Sequence, residues 1–323
     1  MKKLTRYLLL FYLFIPISVF AYSDYIIASG KNIGIELKSN NIIVVGSYKI
    51  NNYNVLEESD LKIGDKILKI DDINITSAVS LQNAINELNK DNVTITYKRN
   101  NTEYTTNIIL HKEDGEYKTG LYVRDSIRGV ATLTYIDTAT NTFGALGHEI
   151  LEKSTKSRFA SDTGSIFSST VTGITKSTDG NPGEKNAHSN SQDVYGMVSE
   201  NTASGIFGEY TAPLPNAKMY KVAKPEEIKL GEAKILTVID GDKVESFDIN
   251  ILKINQNSKT KNILFEVTDK NLLDVAGGIV QGMSGSPIIQ GDNIIGAVNF
   301  VVVDRTNKGY GIFITTMLEE AEN

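Results

Sequence analysis

A serine in a glycine-rich turn is the residue of this sequence best suited to nucleophilic chemistry. Ser284 lies in the segment GMSGSP (residues 282–287), which leads into a hydrophobic hairpin. A serine hydroxyl is a weak nucleophile that must stand on an exposed turn near a base, and flanking glycines permit the backbone angles of such a turn. The amides of Gly282 and Ser284 are predicted to converge there as an oxyanion hole. Ser286 precedes Pro287, which favours extended geometry, so it is interpreted as the start of the next strand.

The base for this serine must be one of three histidines, His111, His148 and His188. His148 lies in GALGHEI, at the end of a strand-like run and between glycines, and is predicted to be the general base. His111 ends a predicted strand and is interpreted as a surface residue. His188 falls in the polar stretch 175–192, which is predicted to be a long loop.

A carboxylate that fixes the tautomer of the imidazole would complete the set. Asp269 lies 284 − 269 = 15 residues before the serine, in the segment FEVTDKNLL. Spacing alone does not separate it from three other candidates, which are Asp240, Asp242 and Asp248.

Two kinds of pattern divide the chain of 323 residues, which is long enough for about two domains. Residues 33–111 alternate short strand-like segments with one helix-like segment, AVSLQNAINELNK. From residue 119 onward, many short β segments follow one another between Gly, Asn, Asp and Ser, which indicates a sandwich or a barrel. The predicted fold class is therefore mostly β, with a small α+β domain ahead of the larger one.

The smaller domain resembles a PDZ domain. Its strands, the segment GDKILKIDD, the helix and the final hairpin follow the order of that family, and the resemblance covers residues 28–113. In such domains an extended peptide adds as a strand against the helix. The loop that holds a peptide carboxylate would fall at Ile33, Gly34 and Ile35. This loop departs from the usual G-L-G-F pattern, so a free C-terminus and an internal segment both stay open as ligands.

The larger domain resembles the SpoIVB-type stage IV sporulation serine peptidases. The resemblance is carried by GALGHEI, GNPGEK, AKILTVID and above all VTDKNLLDVAGGIVQGMSGSPIIQ. It implies a trypsin-like double β-barrel over residues 119–321, with His148, Asp269 and Ser284 as the catalytic residues. It implies no metal and no cofactor. Glu149 departs from the small or apolar residue expected after the histidine, and strand alternation predicts that its side chain points outward.

The resemblance also implies a biological role. Members of the family act between the two membranes around the forespore, where they cleave themselves and then a membrane-bound protein, and so trigger a late sigma factor. Residues 1–22 are consistent with export, because a basic start precedes the apolar run YLLLFYLFIPISVFA and a possible cleavage site, so they are predicted to be a signal peptide or a membrane anchor.

Composition excludes several classes of function. The chain has no cysteine, so disulfides, thiolate metal sites and cysteine nucleophiles are absent. A net charge of −6 without a basic run argues against a nucleic-acid partner. Two non-enzymatic alternatives stay open: an inactive PDZ-containing scaffold or binding module, which a serine-directed probe would not label, and a structural protein of the envelope, which would not process itself.

Overall fold

Strands make up most of the protein in the computed structural model, which describes residues 22–322. The predicted signal peptide or anchor therefore lies outside the described residues, apart from its last position. In chain order the strands are β1 Tyr25–Ala28, β2 Asn32–Ser47, β3 Lys66–Ile70, β4 Ile73–Asn74, β5 Asn92–Arg99, β6 Thr102–Ile109, β7 His111–Glu113, β8 Glu116–Lys118, β9 Leu121–Asp137, β10 Thr142–Ala145, β11 Thr163–Thr175, β12 Glu184–Thr202, β13 Gly205–Tyr210, β14 Met219–Val222, β15 Gly231–Val238, β16 Val244–Ile254, β17 Ile263–Val267, β18 Pro287–Gln290, β19 Asn293–Val301 and β20 Lys308–Phe313.

The helices are few and short. They are α1 Val55–Glu58, α2 Ala78–Leu88, α3 Lys270–Ala276 and α4 Ile314–Glu320, with a single 3₁₀ turn at Pro225–Glu227. Helix α2 begins at a capping box made by Ser77 and Ser80, which explains why it starts where the sequence changes from strand to helix periodicity. Within residues 22–322, no helix combines the length and the apolar character needed to cross a membrane.

Antiparallel pairing closes two six-stranded barrels, and the prediction of a mostly β chain is confirmed. Barrel 1 is the ring β2–β9–β10–β13–β12–β11, in which β11 pairs back onto β2. Barrel 2 is the ring β15–β16–β17–β20–β19–β18, in which β18 pairs back onto β15. Each ring encloses its own buried aliphatic and aromatic core. A further buried cluster, which includes Tyr135, Phe207 and Ile312, lies between the two barrels.

The PDZ-like module lies between β2 and β9 in sequence. Its core runs from Ile42 to Leu121 and is built from α1, α2 and strands β3, β5 and β6. Within the predicted limits of 28–113, residues 33–37 belong to barrel 1, because β9 and β11 pair with them there. Strands β2 and β9 each pass through both units: residues 43–47 pair with 121–124 in the module, and residues 32–38 pair with 126–132 in the barrel.

The prediction of a peptide-binding loop at Ile33, Gly34 and Ile35 is wrong. These residues lie in the barrel part of β2, where β9 pairs with one edge of the strand and β11 with the other. The two isoleucine side chains are buried in the core of barrel 1. Because both edges are already hydrogen-bonded, no edge is left to which a peptide strand could add.

The predicted polar loop at 175–192 is only partly a loop. Residues from Glu184 onward form β12, which pairs with β11 in a long hairpin where His188 faces Thr170. Residues 190–194 of this hairpin are all exposed, so they carry no alternation of apolar and polar residues to mark a strand. His111 lies in β7, with its ring against Tyr53.

Candidate active site

The predicted nucleophile lies on a tight turn between helix α3 and strand β18. Two glycines make this turn possible, with φ of +93° at Gly282 and +92° at Gly285, a region that other residues rarely adopt. Gly285 also lies directly against barrel 1, where an added Cβ would stand 2.1 Å from the carbonyl oxygen of Thr132 and 2.6 Å from the nitrogen of Leu146. The turn of barrel 2 is therefore seated on barrel 1.

The two amides predicted to form the oxyanion hole belong to peptides whose carbonyl oxygens accept hydrogen bonds from the main chain. The Gln281 carbonyl accepts a hydrogen bond from the main-chain N–H of Lys185 at 2.9 Å, and the Met283 carbonyl accepts one from Ser286 N–H at 2.9 Å. In a trans peptide the N–H points away from the C=O, so both bonds orient the amides of Gly282 and Ser284. Within residues 22–322 neither amide donates to a protein acceptor, which leaves both available to a ligand oxygen.

The Ser284 hydroxyl is partly exposed and donates a hydrogen bond to the Asn299 carbonyl at 3.0 Å. The Ser284 carbonyl accepts from Thr132 N–H at 3.0 Å, which fixes the backbone of the residue. Ser286, by contrast, is fully buried immediately before strand β18, and its hydroxyl faces that of Thr132 at 3.5 Å. Of the two serines, only Ser284 is accessible to a substrate.

His148 follows strand β10 after a strained turn. Leu146 has φ of +70°, and the N–H of Gly147 donates to the Ala145 carbonyl at 2.9 Å, a γ-turn geometry that non-glycine residues rarely adopt. The imidazole Nδ1 lies 2.9 Å from the Glu149 carbonyl. Because a carbonyl can only accept, Nδ1 must carry the proton, and Nε2 of the neutral ring keeps its lone pair. Within residues 22–322, Nε2 makes no hydrogen bond.

Burial dominates the electrostatics of this histidine. It lowers the pKa of His148 below its ordinary value, while the carbonyl and the carboxylate of Glu149 act in the opposite direction. At neutral pH the ring is consequently uncharged, as a general base must be. The Glu149 side chain forms an ion pair with Arg158 at 2.8 Å. Strand β10 ends at Ala145, before His148 and Glu149, so strand alternation does not apply to this pair.

Strand β19 contacts both His148 and Ser284. The imidazole stacks on the ring of Phe300, with centroids 5.3 Å apart, while the Ser284 hydroxyl bonds to the preceding residue, Asn299. Gly147 packs on the same strand, since an added Cβ there would lie 3.8 Å from the Cβ of Asn299. The two side chains therefore contact neighbouring residues of β19, and within residues 22–322 no hydrogen bond joins them, as is common in unliganded active sites.

The structure does not bring Asp269 to His148. Its carboxylate caps helix α3, where one oxygen accepts from Leu272 N–H at 3.0 Å and the other from Asp248 N–H at 3.4 Å. Lys261 lies over Phe300, the ring on which His148 stacks. Strand β17 follows Lys261 and ends before Asp269, so about 13 Å of extended chain separates Asp269 from Lys261. The main-chain carbonyl of Glu149 takes the position at Nδ1 that a triad carboxylate would occupy.

The alternative carboxylates do not reach the imidazole either. They are exposed on barrel 2, and they are Asp240, Asp242 and Asp248. Asp248 forms an ion pair with Lys234 of the neighbouring strand. Assignment of a catalytic carboxylate therefore stays a prediction that no contact in this structure supports.

Several residues that support the site carry no signal in their own sequence context. Thr132 contacts the turn at Gly282 and at Ser284. Asn201 braces the loop after His148, because its side chain accepts from Ile150 N–H at 2.8 Å and donates to the Ile150 carbonyl at 3.0 Å. Lys185, whose main-chain N–H donates to the Gln281 carbonyl, is an exception. It lies in the GNPGEK motif, which is part of the family resemblance.

Models of known families match most of the chain. The family described as SpoIVB peptidase S55 matches residues 115–318, which is more than half of the 323 residues. The family described as PDZ domain matches residues 32–110. None of the curated proteins matches the chain.

Solved structures with low sequence identity are similar to parts of the chain. The PDZ domain of the SdrC-like protein from Listeria monocytogenes is 21% identical and covers 26% of this chain and 87% of its own, with a TM-score of 0.22. The inactive form of the Rv3671c protease is 11% identical and covers 60% of this chain and 85% of its own, with a TM-score of 0.35. Human heparin binding protein is 11% identical and covers 56% of this chain and 73% of its own, with a TM-score of 0.29.

Proposed function

The chain belongs to the SpoIVB peptidase S55 family, and from this premise we propose that it is the serine endopeptidase of a sporulation signalling step, with Ser284 as its nucleophile. The single observation that carries the assignment of the site is the nucleophile turn itself. It presents an accessible hydroxyl beside two oriented amides that have no acceptor within residues 22–322. Such donors stabilise the charge that develops on a carbonyl oxygen during acyl transfer.

Acylation in the proposed reaction needs one rotation and two proton transfers, and deacylation needs two more. The Ser284 hydroxyl turns from the Asn299 carbonyl towards Nε2 of His148, which takes its proton as the oxygen attacks the substrate carbonyl. The oxyanion binds to the amides of Gly282 and Ser284. Collapse of the tetrahedral intermediate releases the amine, which receives the proton from the imidazolium. A water molecule then hydrolyses the acyl-enzyme by the same route in reverse.

The Glu149 carbonyl supports the base in this scheme. It holds the proton on Nδ1, so Nε2 is the nitrogen that accepts. The stacking of the ring on Phe300 fixes its plane. Both contacts act before substrate binds, so they lower the cost of orienting the base during the reaction.

The proposed biological setting follows the family. The protein is exported, acts between forespore and mother cell either anchored or released, cleaves itself, and then processes a membrane-associated protein that leads to activation of a late sigma factor. The PDZ-like module, which the PDZ family model supports, would present an extended segment of substrate or of the chain itself to the barrels. Nucleic acid has no place in this proposal.

A serine-directed fluorophosphonate probe tests the assignment of the nucleophile. The wild-type chain is expected to be labelled at Ser284 and to generate new N-termini on incubation, whereas Ser284→Ala should do neither. Ser246→Ala is the matched control, because it makes the same chemical change at an exposed serine of the same barrel. Mass spectrometry of the labelled peptide and of the N-termini reads both results. Self-cleavage by Ser284→Ala at the wild-type rate would refute the assignment, and a wild-type chain without labelling would favour the scaffold alternative.

A further inference from the structure

Lys185 is a buried amine that has no carboxylate partner among residues 22–322. It is the last residue of the GNPGEK motif and is only 6% exposed. Its Nζ lies 3.5 Å from Asn32 Oδ1, 3.3 Å from Thr132 Oγ1 and 2.9 Å from Thr237 Oγ1. These oxygens belong to strands of both barrels, and each of them is neutral. A buried charge without a counter-ion is costly, so such an amine needs an explanation.

Burial without a charged partner favours the uncharged form of this amine. Burial alone lowers the pKa of Lys185 to about 7, and no charged or titratable side chain within residues 22–322 contributes to the shift. The side chains that face the amine are those of Asn32, Thr132 and Thr237. The amine donates to the oxygens of all three, and none of these oxygens supplies a compensating negative charge.

Thr132 joins this amine to the nucleophile turn. Its hydroxyl donates to the Gly282 carbonyl at 2.9 Å, and its main-chain N–H donates to the Ser284 carbonyl at 3.0 Å. A hydroxyl carries one proton. That proton is committed to Gly282, so the Thr132 oxygen accepts from Lys185. Without the amine, the oxygens of Asn32, Thr132 and Thr237 would each lose a contact, and because buried acceptors rarely remain unpaired, these side chains would rearrange beside the turn.

The backbone and the stem of Lys185 act on the same turn. Its N–H holds the Gln281 carbonyl, whose peptide carries the first oxyanion amide. The chain from Glu184 runs parallel to Gln281 at this point. The methylene groups pack under Gly282, where an added Cβ would lie 3.1 to 3.2 Å from Cβ, Cγ and Cδ of the lysine.

We propose that Lys185 is a positioning residue of the peptidase, which holds the peptides around Gly282 in the orientation that points their amides at the oxyanion. It acts through Thr132 and through its own main chain, and it does not touch the substrate. This role rests on the proposed function, because it presupposes that Ser284 is the nucleophile. It predicts a defect in the rate of the chemical step and none in the binding of a probe.

The test measures labelling by the fluorophosphonate probe in the full-length chain. Lys185→Met removes the amine and keeps most of the stem. It is expected to lower the maximal labelling rate constant by about 10- to 100-fold, because a misplacement of about 1 Å can cost about 100-fold. The probe concentration for half-maximal rate and the labelled fraction at completion should stay at their wild-type values. Lys243→Met, at an exposed lysine, is the matched control and should label like the wild type.

Two further variants keep the test decisive where Lys185→Met folds poorly. Thr132→Val removes the connecting hydroxyl and should show the same loss of rate, whereas Thr132→Ser keeps it and should restore most of the rate. A purely structural role would lower the labelled fraction and leave the rate constant of the remaining protein unchanged, and this would overturn the proposal. Wild-type rates in Lys185→Met or in Thr132→Val would also overturn it. If the wild type itself were not labelled at Ser284, the proposed function would fail first, and this role with it.

Discussion

Replacement of Asp269 by asparagine separates two roles that the sequence allows for this residue. As a triad member, the carboxylate would orient His148. As a helix cap, it holds the first turn of α3, and the structure shows its oxygens on the N–H groups of Leu272 and Asp248. Asparagine caps helices about as well as aspartate. We therefore expect Asp269→Asn to be labelled at Ser284 within about threefold of the wild-type rate, well inside the effect of a lost orienting group.

The magnitudes of the two roles differ widely. Loss of one negative charge at a helix N-terminus costs about 0.3–1 kcal/mol of stability. Loss of the whole cap in Asp269→Ala costs about 0.5–2 kcal/mol, and each 1 kcal/mol lowers the Tm by roughly 2–4 °C in a chain of this order of size. A triad aspartate replaced by its amide would instead lower kcat by about 10⁴-fold. The two accounts thus predict rates that differ by about three orders of magnitude.

The assay is the maximal rate of fluorophosphonate labelling, measured beside thermal unfolding for the same preparations. Asp240→Asn serves as a matched control, because Asp240 is an exposed carboxylate in a turn of the same barrel. A labelling rate reduced by about 100-fold or more in Asp269→Asn, with an unchanged Tm, would refute the reasoning. It would mean that Asp269 reaches the imidazole in the reacting conformation, and that the family resemblance identified its role better than this geometry does.

Two further predictions concern pH. Labelling of Ser284 should fall as the pH drops through the pKa of His148, and because burial lowers that pKa below its ordinary value of 6.5, the midpoint is expected below pH 6.5; a midpoint above 6.5 in the rate profile would contradict this. The free energy of unfolding should rise between pH 7 and 10.5, because in this window the unfolded chain keeps a proton on Lys185 that the folded chain, with a pKa of about 7, has released. Urea unfolding of the wild type and of Lys185→Met across this range should show a flatter pH dependence in the variant. Parallel curves would count against the buried neutral amine.

The sequence is most informative about features that depend on the residues of one short segment. The turn at Ser284 needs glycines for its positive φ angles, and a serine between glycines is visible without any partner. His148 could be chosen because only three histidines exist. In both cases local composition restricts the answer to a few residues. The succession of short β segments likewise predicted the β-rich domain, because turn residues and strand residues alternate along the chain.

The sequence was not informative where the answer depends on which strands become neighbours. Ile33–Ile35 have the pattern of an isolated strand, and nothing in it shows that β9 and β11 cover both edges. Thr132 and Lys185 meet the nucleophile turn only because two barrels close against each other. Asp269 did carry a local signal, since an aspartate before a helix-forming segment is a common cap. The requirement for a triad carboxylate outweighed that signal.

The backbone at Ser284 is held by more hydrogen bonds than its side chain. Its carbonyl is held by Thr132, and the preceding carbonyl by Ser286 N–H, so the backbone that carries the oxyanion amide has little freedom. Its hydroxyl is held by one hydrogen bond to the Asn299 carbonyl. A change between staggered rotamers moves that oxygen without moving the backbone, and the loss of one neutral hydrogen bond costs only about 1 kcal/mol. Under the proposed function, activation of the nucleophile would therefore be a side-chain event on a fixed backbone, in which the Ser284 hydroxyl leaves the Asn299 carbonyl and turns towards His148.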